Sequence, residues 1–233
     1  MSIHDGHRQR LKERFLREGL DNFDELHVLE LLLFYCVPRA DTNPLAHRLL
    51  NSFGSLPAVL DASAEELEKI EGIGKNISTF FALITQVGRY YQVRRSEPGE
   101  ILQTIDQCGQ FLVPYFFGRE NETVFMLCLD AKCKVLSCKK VGEGSVNSAN
   151  VPVRRVVEMA LASNATTVIL AHNHPSGLAI PSADDIQTTH KVATALEAID
   201  IFLADHIVVS RDDFVSIVQS GYYKPQENCV VKK

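Results

Sequence analysis

The hydrophobic pattern changes period near residue 96, and no other feature restricts the possible folds as much. Up to about Tyr91, apolar residues recur at three- and four-residue spacing with few β-branched side chains among them, which predicts helices. Leu11, Phe15 and Leu16 begin one stripe, and Leu26, Leu29, Leu32 and Leu33 form another. Asn43-Pro44 can open a helix over 45–50, Asp61 or Ser63 can cap one over 65–70, and a last helix is expected from Asn76 to about Val93. Residues 94–100, charged and then Pro- and Gly-bearing, read as a linker. Beyond it, 123–129 and 135–141 are strand candidates joined through Asp130-Ala131-Lys132. Helical spacing returns over 153–162 and 184–199. The run 166–171 is continuous, apolar and β-branched, as in a buried strand, and 207–209 and 214–218 are expected as short strands. The expected fold class is α+β, with an all-helical domain over 1–95 and a mixed α/β domain over 101–223.

Composition narrows the function classes. Apolar residues make up 45% and charged residues 23% of the 233, so a disordered or fibrous chain is excluded. A net charge of −5 is wrong for bulk electrostatic binding of nucleic acid, leaving only a local patch for such contact. The longest apolar run, 28–37, is interrupted by Glu30 and is too short for a bilayer, so no membrane partner is expected. The first residues lack the apolar stretch of a signal peptide, and six cysteines are too sparse for a disulfide framework. Reduced thiols and a cytoplasmic location are the expectation. Cys128, Cys133 and Cys138 match no zinc spacing.

The chemistry concentrates in Ala171-His172-Asn173-His174-Pro175-Ser176-Gly177, followed by Pro181-Ser182-Ala183-Asp184-Asp185. Residues i and i+2 at a strand end point to one side, so His172 and His174 can converge on one ion. Pro175 and Gly177 turn the chain and bring the next helix start back, placing Asp185 within reach. Two imidazoles and a carboxylate make a three-ligand site with one open position, the arrangement of catalytic rather than structural zinc. A bare His-x-His is more often a polar surface loop; the buried strand before it and the acid at a helix start after it favour the metal.

His172-x-His174, seven residues, Ser182, two residues and Asp185 resemble the JAMM (MPN+ or JAB) metalloprotease signature. The wording His-Asn-His-Pro-Ser-Gly looks like the RadC branch of that superfamily. Gly144-Ser145-Val146-Asn147, Thr189 and Asp205-His206 match RadC proteins too, as do Gly6-His7-Arg8-x-Arg10, Leu29-Glu30-Leu31-Leu32-Leu33 and Asp41-Thr42-Asn43-Pro44. The resemblance runs from about residue 5 to about residue 223. It implies an MPN/JAB (cytidine-deaminase-like) domain holding Zn2+ on His172, His174 and Asp185. It also implies a glutamate that takes a proton from the activated water, for which Glu122 holds the family position and Glu120 is the rival. Ser182 inherits the family's hydrogen bond to a developing oxyanion; on its own chemistry it is equally a helix N-cap, and both roles can hold. One departure is Pro152-Val153-Arg154-Arg155, where Arg155 replaces an acid usual in the family. Glu143, Glu158 and His190 read as surface residues. Asp205-His206 fits either a group that orients a metal-bound histidine or a loop contact.

In the helical half, Leu67-x-x-Ile70-x-Gly72-Ile73-Gly74-Lys75 is a helix-hairpin-helix signature. Gly72 and Gly74 permit the turn and leave N–H groups uncovered where a phosphate can sit, with Lys75 adding charge. Against DNA stand Glu65, Glu66, Glu68 and Glu71, and a balance of 12 basic against 13 acidic residues over 1–95. Basic side chains do gather at Arg8, Arg10, Lys12, Arg14 and Arg17. Three readings follow. The first is a zinc hydrolase cleaving a peptide or isopeptide bond in a protein or peptide substrate. The second is a DNA-repair or DNA-processing factor making non-specific DNA contact through Gly72, Gly74 and Lys75. The third, a non-catalytic interaction module, is disfavoured because every expected ligand is present.

Overall fold

The computed structural model describes residues 3–95, 99–144, 151–175, 178–210, 213–226 and 231. Linker residues Ser96-Glu97-Pro98, the Ser145-Val146-Asn147 stretch, and Ser176 and Gly177 of the histidine turn lie outside them. The chain divides into two compact units, Met1–Gly88 and Arg89–Lys233. No helix among the described residues is long and apolar enough to cross a membrane.

The first unit is helical: α1 (Ile3–Glu18), α2 (Glu25–Cys36), α3 (Asn43–Phe53), α4 (Leu56–Asp61), α5 (Ala64–Glu68) and the start of α6 (Lys75–Arg95). Its core gathers Leu29, Leu33, Leu49, Val59, Leu67, Ile77 and Phe81, so the second predicted stripe faces inward; of the first, Leu11 is buried but Leu16 is exposed. Ser63 caps α5 in a box with Glu66. Asp61 instead ends α4, a helix that the sequence reading did not anticipate.

The second unit is built on a five-stranded sheet: β1 (Thr123–Leu129), β2 (Val135–Glu143), β3 (Thr167–Asn173), β4 (Phe202–Ser210) and β5 (Asp213–Ser216), in the order β2-β1-β3-β4-β5. Only β3 and β4 run parallel, and α9 (Ala183–Glu197) makes the crossover between them. Helix α8 (Val153–Ala162) lies beside α9 on one face. There Val156, Ala160, Val192 and Leu196 pack on Val124, Met126, Val168 and Leu170. The other face is covered by α7 (Ile105–Leu112) and a 3-10 turn over Val113–Phe116, which meet Phe125, Leu127, Ile169 and Ile207. Helix α7 lies so close to β5 that a Cβ on Gly109 would run into the Phe214 ring. With helices on both faces, β1 and β3 are buried at every residue, which is why both read as continuous apolar runs.

Strand β4 is longer than the expected 207–209 because its first half carries Ala204, Asp205 and His206 and lacks a strand signal. Its pairing with β3 slips by one residue, from Val168↔Leu203 to Ile169↔Asp205, so Ala204 is an extra residue, a β-bulge. The bulge resets the alternation. Leu203 faces α8 and α9, and after the bulge it is His206, opposite Leu170, that faces them.

Candidate metal centre

The site grows out of the end of β3. Val168 and Leu170 pack under α8 and α9, so alternation puts His172 on the same face, where it is 5% exposed. His174 continues the line past the strand end, its N–H donating to the Val209 carbonyl at 2.9 Å. The return of the chain ends in a capping box at the start of α9. Ser182 Oγ accepts from the Asp185 N–H at 3.1 Å, and the Ser182 N–H and hydroxyl both donate to Asp185 Oδ2, at 2.7 and 2.6 Å. The serine is therefore the N-cap, and its hydroxyl proton is spent on Asp185, which it orients.

The three side chains converge. His172 Nε2 lies 3.0 Å from His174 Nε2 and 3.2 Å from Asp185 Oδ1, and His174 Nε2 lies 3.7 Å from Asp185 Oδ2. One donor atom from each lies within 4.8 Å of the other two, a group that can hold a metal ion. The donor set fits a cation on an independent ground. His174 Nδ1 sits 3.0 Å from the Leu178 carbonyl, which only accepts, so Nδ1 carries the proton and Nε2 offers its electron pair. Asp185 is 1% exposed, and its Oδ1 has no hydrogen-bond partner. A bare nitrogen and an orphaned carboxylate oxygen aimed at the same point repel unless a cation lies between them. Burial pulls the Asp185 carboxyl upward, but His172 and the two Ser182 hydrogen bonds outweigh it and hold the group well below the ordinary carboxylate range. It stays ionised, as a ligand must be.

Behind His172 sits His206, 1% exposed, with its Nε2 2.9 Å from His172 Nδ1 and its Nδ1 2.8 Å from Thr189 Oγ1. Burial pushes the His206 pKa down to about 3, so its ring is neutral. Of the two readings open for Asp205-His206, the strand and this contact support the one that orients a histidine. Its neighbour Asp205 turns to the opposite face, where it takes hydrogen bonds from the Ser216 hydroxyl, the Val218 N–H and the His206 N–H.

Glu122 stands immediately before β1. Among the described residues it is not part of the converging group, which suits a proton acceptor rather than a ligand. Val124 pairs with His172, so the Glu122 backbone enters the sheet beside the histidine segment. It is fixed there by a residue that sequence reasoning missed. The Asn173 amide accepts from the Thr123 N–H at 2.7 Å and donates to the Asn121 carbonyl at 3.2 Å, bracketing Glu122, whose own carbonyl takes the Gly144 N–H at 3.1 Å. Nothing in the sequence marks Asn173 apart from its place between the two histidines. Glu120 is exposed. Glu143 pairs with Lys140, Glu158 pairs with Arg154, and His190 is exposed, all as surface residues. Arg155 is exposed on α8, and nothing in the structure explains an arginine there. Cys128 and Cys133 are buried free thiols and Cys138 is a half-buried one.

In the helical unit, Gly72 adopts φ +93°, a left-handed turn conformation that favours glycine. Its open side is filled by the Arg48 guanidinium and Leu45, and Arg48 Nε donates to the Glu71 carbonyl. Gly74 is different: a Cβ there would meet open space, immediately before Lys75 begins α6.

Residues 102–222 match the family model described as the RadC-like JAB domain. A UPF0758 protein of Fusobacterium nucleatum is 33% identical over 223 residues, covering 93% of this chain and 96% of its own. A UPF0758 protein of Ruegeria pomeroyi is 32% identical over 216 residues, with the same coverage.

Proposed function

Because the chain belongs to the RadC-like JAB domain family, we propose that it is a zinc-dependent hydrolase of the JAMM type, cleaving a peptide or isopeptide bond in a protein or peptide substrate. The observation that carries this reading is the meeting of His172 Nε2, His174 Nε2 and the orphaned Asp185 Oδ1 at one point. His172, His174 and Asp185 would hold the ion, a three-residue donor set of the kind found in catalytic zinc sites. Bound there, zinc supplies Lewis acidity, polarising a carbonyl and bringing the pKa of water to about 7. Glu122 receives the proton of the attacking water and delivers it to the leaving amine, the two duties of one carboxylate in amide hydrolysis. Asn173 holds the backbone on both sides of Glu122, and Ser182 fixes the Asp185 carboxylate so that Oδ1 remains for the metal. The Ser182 N–H alone would still hold Asp185 Oδ2 if the hydroxyl turned toward a developing oxyanion.

The test is hydrolysis of a panel of peptides and isopeptide-linked lysine peptides. Cleavage should stop on chelation and return on adding zinc. A Glu122→Gln trap in cell extract then asks what is retained. Protein supports the hydrolase reading. DNA alone would favour the second reading, a DNA-processing factor, whose supporting observation is the open approach to Gly74 beside Lys75.

A further inference from the structure

A single hydroxyl proton fixes the protonation of the site, although it lies on neither a ligand nor a neighbour of one along the chain. Thr189 Oγ1 is 2.7 Å from the Asp185 main-chain carbonyl, and a carbonyl only accepts, so the hydroxyl hydrogen points there. With its one hydrogen committed, Thr189 can only accept from His206 Nδ1, 2.8 Å away. His206 thus carries its proton on Nδ1 and presents a bare Nε2 to His172 Nδ1 at 2.9 Å. His172 must then carry hydrogen on Nδ1 to complete that bond, and its Nε2 electron pair is the one left for the site. Each step has one solution because the series ends on an atom that cannot donate.

We infer that Thr189 and His206 are positioning residues that set the tautomer of His172, so that Nε2 rather than Nδ1 is its metal-binding atom. The inference rests on the metal-centre reading for its purpose, though not for its geometry. The relay also closes on itself. It starts at one proposed ligand, His172, and ends on the backbone of another, Asp185, because Asp185 and Thr189 are one helical turn apart on α9. The Ala204 bulge belongs to the same device, since without it the alternation of β4 would turn His206 to the other face.

The decisive comparison is Thr189→Val against Thr189→Ser. Valine keeps the shape and removes the hydroxyl; serine keeps the hydroxyl. Without the acceptor, His206 gains by moving its proton to Nε2, which drives His172 into the opposite tautomer. Two quantities are read: the 15N resonance of His172 Nδ1 in metal-free protein at about pH 8, above the ordinary histidine range, and the zinc Kd by chelator competition. The expected result is a protonated Nδ1 in wild type and serine variant, its loss in the valine variant, and a zinc Kd raised by about 10-fold or more in the valine variant only. A valine variant that keeps Nδ1 protonated overturns the relay whatever its zinc affinity. Should wild type bind no zinc, the metal reading fails, while the Nδ1 resonance still decides the relay.

Discussion

Asn173 Oδ1 accepts the Thr123 N–H at 2.7 Å, so a side chain stands in for the backbone ladder where β1 begins. The other end of the same amide reaches Asn121, and Glu122 is held between the two contacts. A residue between two proposed metal ligands therefore places the proposed proton acceptor. Replacing Asn173 by Ala should lower kcat by about 10- to 100-fold, the cost of small misplacements of reacting groups, and leave zinc content unchanged. Elemental analysis alongside kinetics checks it; loss of zinc would assign Asn173 to the support of the histidines instead.

Glu122→Gln removes the proposed proton acceptor and keeps the shape. Zinc should remain bound while hydrolysis falls by about 10²-fold or more. Loss of the metal would make Glu122 a ligand, and unchanged turnover would pass the role to Glu120.

Asp205 is buried on β4, against Ser216 at the end of β5 and Val218 beyond it. Burial raises its pKa from 3.8 to about 6, against the opposing hydrogen bonds from Ser216, Val218 and His206. A carboxyl with a raised folded-state pKa contributes stability that is full below its unfolded value and lost as pH rises through the folded one. The thermal midpoint should therefore carry a component that falls between about pH 4 and about pH 6. Asp205→Asn, which keeps the carbonyl acceptor for the two N–H groups, should flatten it. An identical pH profile in the variant would show that Asp205 ionises freely.

If the hairpin meets DNA, contact should be independent of sequence and strongly dependent on salt. Gly74→Val would fill the open space before α6 and weaken binding to all duplexes alike, with zinc content untouched. Titrating the full chain with short duplex and branched DNA at low and moderate salt measures it. No association even at low salt would reduce the hairpin to architecture.

The convergence of His172, His174 and Asp185 was legible because each sits where local rules put it: two residues at i and i+2 leaving a buried strand, and an acid at the third position of a capped helix. Most helices of the first unit were legible through their apolar spacing, and Ser63 was one of two cap candidates for α5, its box with Glu66 deciding between them. What escaped depended on tertiary contacts. Helix α4 spans six residues and α7 eight, too short for a periodic signal. The first half of β4 reads as polar because Asp205 and His206 find their partners on Ser216, Val218, His172 and Thr189, far away in sequence. A single inserted residue at Ala204 decides which of the two turns toward His172, and no propensity scale registers it. Asn173 was invisible for the same reason: its partners, Thr123 and Asn121, lie 50 and 52 positions earlier.

The central claim is that His172, His174 and Asp185 hold a catalytic zinc, and metal stoichiometry tests it most directly. Elemental analysis should find about one zinc per chain in the purified protein and almost none in the His172→Ala/His174→Ala double variant, with the helical unit still folded by circular dichroism. Full zinc occupancy in the double variant would contradict the assignment.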